Sequence, residues 1–206
     1  MGFYNMDAMG SEMLENTCLA DNVNMAFLIS IAFIENIFRM LMLSKNLSYE
    51  EVVRSATAKR LVINNTPNAR QISVLKSMAK GLFQPLRDYF GVPIFISSGF
   101  RCKELNEVIS GSSKTSHHMI LRDICAIDID QDAISSPVSN ADIFYYIKDN
   151  LDYHTLIWEH GDDKNPGWVH VSFSKDSKKN KRANTLRAVR KSLKTHYIPF
   201  KNENTA

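Results

Sequence analysis

Cysteine, glycine and proline are all scarce in this chain, whose 206 residues include three cysteines, eight glycines and six prolines. The cysteines (Cys18, Cys102 and Cys125) form no even set and no CxxC pair, which argues against a disulfide scaffold. Cys125 lies inside an apolar run and is predicted to be a small core residue. With 44% hydrophobic and 23% charged residues, the composition is typical of one globular domain with or without an appendage.

A strong net charge is also missing. The formal charge of +3 is too small to indicate a nucleic-acid partner, and we expect none. The charge is nevertheless uneven, because nine Lys or Arg residues and a single acid, Asp176, lie between Lys175 and Lys194. This run predicts a solvated helix face or tail. The alternative is attraction to a polyanion, such as an anionic cell wall polymer.

No long apolar run is free of charge. The nearest candidate, Ala26–Ser44, contains Glu35 and Arg39, and an ionised group in mid-membrane costs about 2.5–3.5 kcal/mol. Residues 1–25 contain no Lys or Arg, so the basic start of a secretory signal is missing. We therefore expect a packed amphipathic helix and synthesis in a reducing cytoplasm. Membrane contact through residues 26–44 and a later native start, at Met40 or Met42, are the alternatives.

Helical patterns dominate the chain between residues 48 and 108. Ser48, followed by two glutamates, predicts a helix start. The apolar spacing over residues 69–90 predicts a longer helix, which Pro85 should kink or divide. A brief helix is expected over Lys103–Val108.

Short apolar strands are predicted further along, mixed with one more helix. The strand segments are PIFISSGF (93–100), ICAIDID (124–130), HTLIWE (154–159) and GWVHVSF (167–173), and a helix is expected to begin at Ser139 or the next residue. The order of elements predicts an α+β fold with a small, mainly antiparallel sheet covered by helices. A basic helix is expected at the end.

Four polar side chains in two stretches of the chain, residues 116–130 and 156–173, suggest a metal centre. His118, Asp128 and His170 provide two imidazoles and a carboxylate, which suit a catalytic zinc ion with one position left for water. Glu159 is a second carboxylate that would be placed to deprotonate that water. Asp130 shares a strand face with Asp128, so position alone does not choose between them. If Asp128 is the ligand, Asp130 would orient a histidine ring or cap a turn.

The same segments carry a family resemblance. In order, SSGFRCKELN, SHH…AIDID, LIWEHG and PGWVHVSF resemble the motifs of the M15 zinc peptidases, the D-Ala-D-Ala carboxypeptidase-like family with its phage and prophage peptidoglycan peptidases. ATAKRL and LFQPLRDYFG resemble the beginning of that domain. The likeness implies a peptidase domain over residues 46–200, an N-terminal extension with an apolar helix over 1–45, and a tail over 201–206. The implied fold is shared with the zinc domain of hedgehog proteins.

The resemblance also implies roles for individual residues. His118, Asp128 and His170 would be zinc ligands, Glu159 the catalytic base, and Arg101 the residue that steadies the substrate carbonyl and its oxyanion. The implied reaction is hydrolysis of peptidoglycan peptides that contain D-amino acids. We expect a monomer, made in the cytoplasm without a clear signal peptide. It would act at the cell wall after release or when carried by a phage.

One departure from the family pattern concerns the first ligand motif. The family writes S-x-H-x-x-G-x-A-x-D, with seven positions from His to Asp, whereas His118 and Asp128 are ten apart and Leu121 stands in place of the glycine. His118 is preferred as the ligand because it keeps the opening Ser116-x-His, and His117 is the alternative. If the disturbed motif prevents catalysis, the chain would be a catalytically impaired zinc-binding or cell-wall-binding module of a phage or prophage particle.

Four more polar residues lie close to these motifs in sequence. Ser98 and Asn106 are expected to shape the turn around Arg101. His154 and His160 are expected to be solvated, with assistance at the rim of the site as the alternative.

Overall fold

The computed structural model describes residues 42–201, apart from residues 183 and 193. The helices of this part are α1 (Tyr49–Val53), α2 (Ala56–Leu61), α3 (Ala69–Met78), α4 (Gln84–Phe90), α5 (Lys103–Val108) and α6 (Asn140–Asn150). The strands are β1 (Met42–Ser44), β2 (Leu47–Ser48), β3 (Ile96–Ser98), β4 (Ile124–Ile129), β5 (Thr155–Glu159), β6 (Trp168–Ser174), β7 (Asn184–Lys191) and β8 (Lys194–Pro199).

Local signals in the sequence set the ends of several helices. The Ser48 hydroxyl accepts from the backbone N–H of Glu51, whose carboxylate accepts from the N–H of Ser48, so α1 begins with a capping box as predicted. The predicted division at Pro85 is also confirmed. A π-helical turn over Ala79–Phe83 separates α3 from α4, because proline lacks the N–H that would continue the regular helix.

The strands β3 to β8 form one six-stranded sheet with the order β3-β4-β6-β5-β7-β8. Neighbouring strands run antiparallel, except for the parallel pair β5 and β7. The helices α3 and α6 pack on the central strands. The predicted α+β class with a mainly antiparallel sheet is therefore confirmed.

The two faces of the central strands have different environments. On one face, alternate apolar side chains enter the main core with α3, α4 and α6; they are Cys125, Ile127, Ile129, Leu156, Trp158, Val169, Val171 and Phe173. Cys125 is a free, fully buried thiol, as expected, and burial raises its pKa to about 12. The opposite face carries Asp128, Glu159 and His170. The alternation of each strand thus separates the core from the polar side chains.

The basic segment near the C-terminus was predicted as a helix, and this prediction is wrong. Residues 184–191 form β7 and residues 194–199 form β8. Its charges are accommodated because the backbone of β7 pairs with β5 and its side chains alternate between two faces. The Arg187 guanidinium lies over the Trp158 ring and forms an ion pair with Asp163 at 2.5 Å. Tertiary pairing therefore outweighs local helix propensity here.

The expected amphipathic helix over Ala26–Ser44 lies outside the described residues, except for Met42–Ser44, which form β1 and pair with β2. Leu43 in this strand is buried in the core. Within the part of the chain that the structure describes, no helix is both long and apolar enough to cross a membrane.

Candidate metal and peptidase site

The centre of the site is a cross-strand pair on β4 and β6. Asp128 and His170 are direct partners in the antiparallel register, so their side chains project from the same face of the sheet. The Nδ1 atom of His170 lies 2.8 Å from Oδ1 of Asp128. Asp128 is 8% exposed. Burial opposes its ionisation, but the positive charge that His118 and His170 carry when protonated outweighs burial and lowers the pKa of the carboxyl.

His118 reaches the same place from a 3₁₀ turn over His117–Met119. The Ser116 hydroxyl accepts from the backbone N–H of His118 and caps this turn. Ile120 then takes a left-handed conformation with φ 52°, and the chain enters β4 at Ile124. The ten-residue separation from Asp128 is therefore taken up by a tight turn and a short loop, and His118 is 3% exposed beside the sheet.

The protonation of His118 can be read from its contacts. Its Nδ1 lies 2.7 Å from the carbonyl oxygen of Gly99, and because a carbonyl only accepts, Nδ1 carries the proton. Burial lowers the pKa of His118, although Asp128 opposes this, so the ring is neutral at pH 7. The lone pair of Nε2 then faces Oδ2 of Asp128 at 3.3 Å. Two acceptors at this distance fit a shared cation.

The three side chains can together hold a metal ion. His118, Asp128 and His170 each offer one ligand atom, and these atoms all lie within 4.8 Å of one another. Two imidazoles and one carboxylate form a donor set that suits a divalent metal with an open coordination position. These three side chains therefore fit the zinc ion that the motifs imply.

Glu159 ends β5 on the same face of the sheet. It is 6% exposed, and burial raises its pKa to about 7, with a further rise from Asp128 that His170 opposes. The turn that follows requires glycine at position 161, where φ is +66° and a Cβ would lie 2.1 Å from the Asn165 carbonyl oxygen. This fixed turn holds the carboxylate at a rigid strand end.

Arg101 lies beside the pair of strands, after β3. Its Nη2 is 3.3 Å from Oδ2 of Asp128, and its backbone N–H donates to the carbonyl of His118 at 3.0 Å. Both Nε and Nη2 donate to the hydroxyl of Ser98. The guanidinium is thus a fixed positive charge at the edge of the cluster.

These side chains open into a cavity of about 600 Å³. One wall is the polar loop Ser110–Ser116, and Thr195 and Tyr197 of β8 also line it. Asn106 supports the loop, because its Nδ2 donates to the carbonyl of Ser113 at 2.9 Å. A cavity of this size accommodates a short stretch of peptide.

Comparison with known proteins now identifies the family. A family model described as Peptidase M15 matches residues 45–172, which is more than half of the chain. The chain belongs to the peptidase M15 family. No curated protein and no solved structure was found to match it. The match includes all five residues predicted for the site, whereas β7 and β8 lie beyond it.

The M15 domain brings together the side chains singled out in the sequence, with His118 rather than His117 in the cluster. The His117 ring packs edge-on against His154, with ring centroids 5.2 Å apart, and His117 lines the same cavity as the cluster. Burial and the neighbouring histidines lower the pKa of His117 to about 4. His160 lies next to Glu159, with Nε2 and Oε2 separated by 3.9 Å. The individual roles of these residues stay predictions.

Other details of the M15 site differ from the expectations or were missed. Asp130 accepts from Asn140 at 3.3 Å, so it contacts the first residue of α6 rather than a histidine of the cluster. Ser98 contacts the guanidinium of Arg101 directly. The Gly99 carbonyl and Tyr197 also belong to the site, and neither was predicted from the sequence. A backbone acceptor leaves no side-chain signal, and the alternation around Tyr197 was hidden by the surrounding charge.

Proposed function

We propose that this chain is a zinc-dependent peptidase that cleaves peptidoglycan peptides containing D-amino acids. The observation that carries the proposal is the convergence of His118, Asp128 and His170 next to Glu159 and Arg101. His118, Asp128 and His170 would hold the zinc. When bound, zinc polarises a carbonyl group and lowers the pKa of water towards about 7.

The residues of the chain would perform the proton transfers and stabilise charge. Glu159 accepts a proton from the attacking water and delivers it to the nitrogen of the leaving amine. The water oxygen first bonds to the carbonyl carbon, and the peptide C–N bond then breaks as the nitrogen receives the proton, so the products are a carboxylic acid and an amine. Arg101 offers positive charge to the carbonyl oxygen as it becomes negative.

The substrate class rests on the family resemblance, with support from the cavity. The pocket is open, lined by hydroxyl groups and close to 600 Å³, which suits a short peptide of small residues. In this proposal the protein acts at the cell wall, which it reaches after release or on a phage particle. It acts there as a monomer. The alternative of an impaired binding module rested on the long spacing between His118 and Asp128. Ligand atoms within 4.8 Å of one another support metal binding despite that spacing, and the carboxylate of Glu159 in the same cavity favours the peptidase, because a structural site needs no base.

A matched pair of variants tests this function. The zinc-loaded protein should release new amines from purified peptidoglycan, and a chelator should stop the release. Glu159→Gln should retain zinc in metal analysis and lose about 10²–10⁴-fold in rate, the usual contribution of a general base. Glu107→Gln is the control, since this exposed acid on α5 pairs with Lys103 at 3.8 Å and does not line the cavity within the described residues. Equal turnover by the two variants would remove Glu159 from the mechanism.

A further inference from the structure

The wall of the cavity on the β8 side comes from outside the segment that matches the family. The match ends at Ser172, whereas Thr195 and Tyr197 lie on β8. Both line the same cavity as Glu159 and His170. This part of the pocket is therefore a feature of this chain that the family match does not cover.

The register of three strands aligns Tyr197 with Glu159. Glu159 pairs with Ala188 on β7, and Ala188 pairs with Tyr197 on β8, so the three side chains project from one face of the sheet. Adjacent strands are about 4.8 Å apart, which separates the outer two backbones by about 10 Å. Ala188 is 2% exposed, so its small side chain is covered by neighbouring groups. A tyrosine side chain is long enough to extend over it towards Glu159.

The environment of Tyr197 favours a hydrogen-bond donor. The side chain is 54% exposed, so it is available to a ligand in the cavity. Partial burial raises its pKa, and the nearby carboxylates of Glu159 and Asp128 raise it further. The phenol therefore keeps its proton at neutral pH. A protonated hydroxyl close to two carboxylates can donate to an oxygen of a bound peptide.

The strand order places Arg101 and Tyr197 on opposite sides of the reacting centre. Arg101 follows β3 at one edge of the sheet, and Tyr197 lies on β8 at the other. The metal cluster and Glu159 lie on the strands between them. A peptide that crosses the strands over Glu159 would meet both side chains.

We propose that Tyr197 is a substrate-binding residue, whose hydroxyl donates a hydrogen bond to a carbonyl or carboxylate oxygen of the peptide on the side opposite Arg101. This inference rests on the proposed function, because it takes the cavity as the peptide site. Tyr197 does not touch the metal ligands in this role. It adds affinity for the substrate residue that occupies the β8 side.

The test compares Tyr197→Phe with His196→Ala in the full chain. His196 is the adjacent exposed residue on β8, and it pairs with Val189 on the other face of the sheet. With a peptide ending in D-Ala-D-Ala as the probe, Tyr197→Phe should raise KM about tenfold, the value of one neutral hydrogen bond, with kcat changed less than twofold. Zinc content and the pH profile should match those of the wild type. His196→Ala should leave KM unchanged.

Two results would overturn the role of Tyr197, and a third concerns the proposed function. Hydrolysis by Tyr197→Phe with wild-type KM, or equal rises in KM for both variants, contradicts the inference and leaves the peptidase intact. If the zinc-loaded wild type does not hydrolyse the probe or peptidoglycan, the proposed function fails. In that case the dissociation constant of the probe tests the binding role of Tyr197. Equal dissociation constants for Tyr197→Phe and His196→Ala would reject that role.

Discussion

The hydroxyl oxygen of Ser98 accepts two hydrogen bonds from the Arg101 guanidinium, 3.1 Å from Nε and 2.8 Å from Nη2. Nη2 also lies 3.3 Å from Oδ2 of Asp128. The guanidinium is therefore held from both sides, by a neutral hydroxyl and by a carboxylate. Ser98 thus contributes to the site by fixing the orientation of the Arg101 guanidinium.

The first prediction concerns this pair. Arg101→Ala should lower kcat about 10²–10³-fold if the guanidinium stabilises the oxyanion. Ser98→Ala should lower kcat about tenfold, because the Arg101 guanidinium remains but is less well oriented. Since Ser98 acts through Arg101, the double variant should be no slower than Arg101→Ala alone. Steady-state kinetics on a cleavable peptide measure all three. Multiplicative losses in the double variant would show that Ser98 acts independently.

The second prediction separates two adjacent histidines. His118→Ala should reduce zinc binding strongly, because it removes one of three ligands, whereas His117→Ala should retain zinc within a few-fold of the wild type. Isothermal titration and metal analysis give the affinities. Zinc should also raise the melting temperature of His117→Ala, as of the wild type, since a ligand that binds only the folded state stabilises it. Loss of zinc from His117→Ala with retention by His118→Ala would reverse the assignment.

The third prediction concerns the titration of Glu159. In the metal-free protein its carboxyl should titrate near pH 7, because burial raises its pKa from 4.5 to about 7. Zinc should move the midpoint lower, since a nearby dication favours the ionised form. Below the midpoint the carboxyl is protonated and cannot accept a proton, so hydrolysis should fall as the pH decreases. Carboxyl ¹³C shifts give the midpoint, and Glu159→Gln identifies the signal. A midpoint near 4.5 in the metal-free protein would contradict the effect of burial.

The fourth prediction links a glycine to metal affinity. A Cβ at Gly99 would lie 2.2 Å from the Val52 carbonyl oxygen, so Gly99→Ala must shift the backbone whose carbonyl holds His118. We expect a loss of about 1–3 kcal/mol in the free energy of unfolding and about 10–100-fold weaker zinc binding.

Gly91→Ala is the matched control for this change. Gly91 has φ +67° and no heavy atom within 4 Å of an added Cβ. The substitution should cost about 1–2 kcal/mol for its left-handed backbone and leave zinc affinity unchanged. Thermal unfolding and zinc titration distinguish the two variants. Equal zinc affinities would show that the Gly99 carbonyl does not orient His118.

Much of the fold could be predicted from the sequence because its signals are local. Ser48 and Ser139 cap helices through their own hydroxyls, and Pro85 divides a helix by its own covalent structure. The strands around Asp128 and His170 show the period of two in their apolar residues. Such features depend on neighbours a few residues away, so they can be read without knowing the tertiary contacts.

The C-terminal strands could not be predicted in the same way. β7 runs parallel to β5 and is positioned by a backbone partner about 29 residues earlier in the chain. Its run of Lys and Arg hid the alternation of Leu186 and Ala188 with Arg187 and Val189. A basic segment becomes a strand here because a sheet edge is available for pairing, which is a property of the folded domain.

The site was predictable in its side chains and not in its supporting contacts. Ordered motifs identified His118, Asp128, Glu159 and His170, and the Ser116-x-His pattern favoured the histidine that the structure brings into the cluster. Loop closure depends weakly on length, so ten residues can return His118 as well as seven. The tautomer of His118 depends on the carbonyl of Gly99, which only the folded chain reveals.

The central strands β4 and β6 are occupied on both faces, by the core on one side and by Asp128 and His170 on the other. Few positions there can change without affecting either folding or chemistry. The Ser110–Ser116 loop and β8 are exposed and border the same cavity. We therefore expect related peptidases that choose different peptides to differ in this loop and at the outer strand rather than in the middle of the sheet.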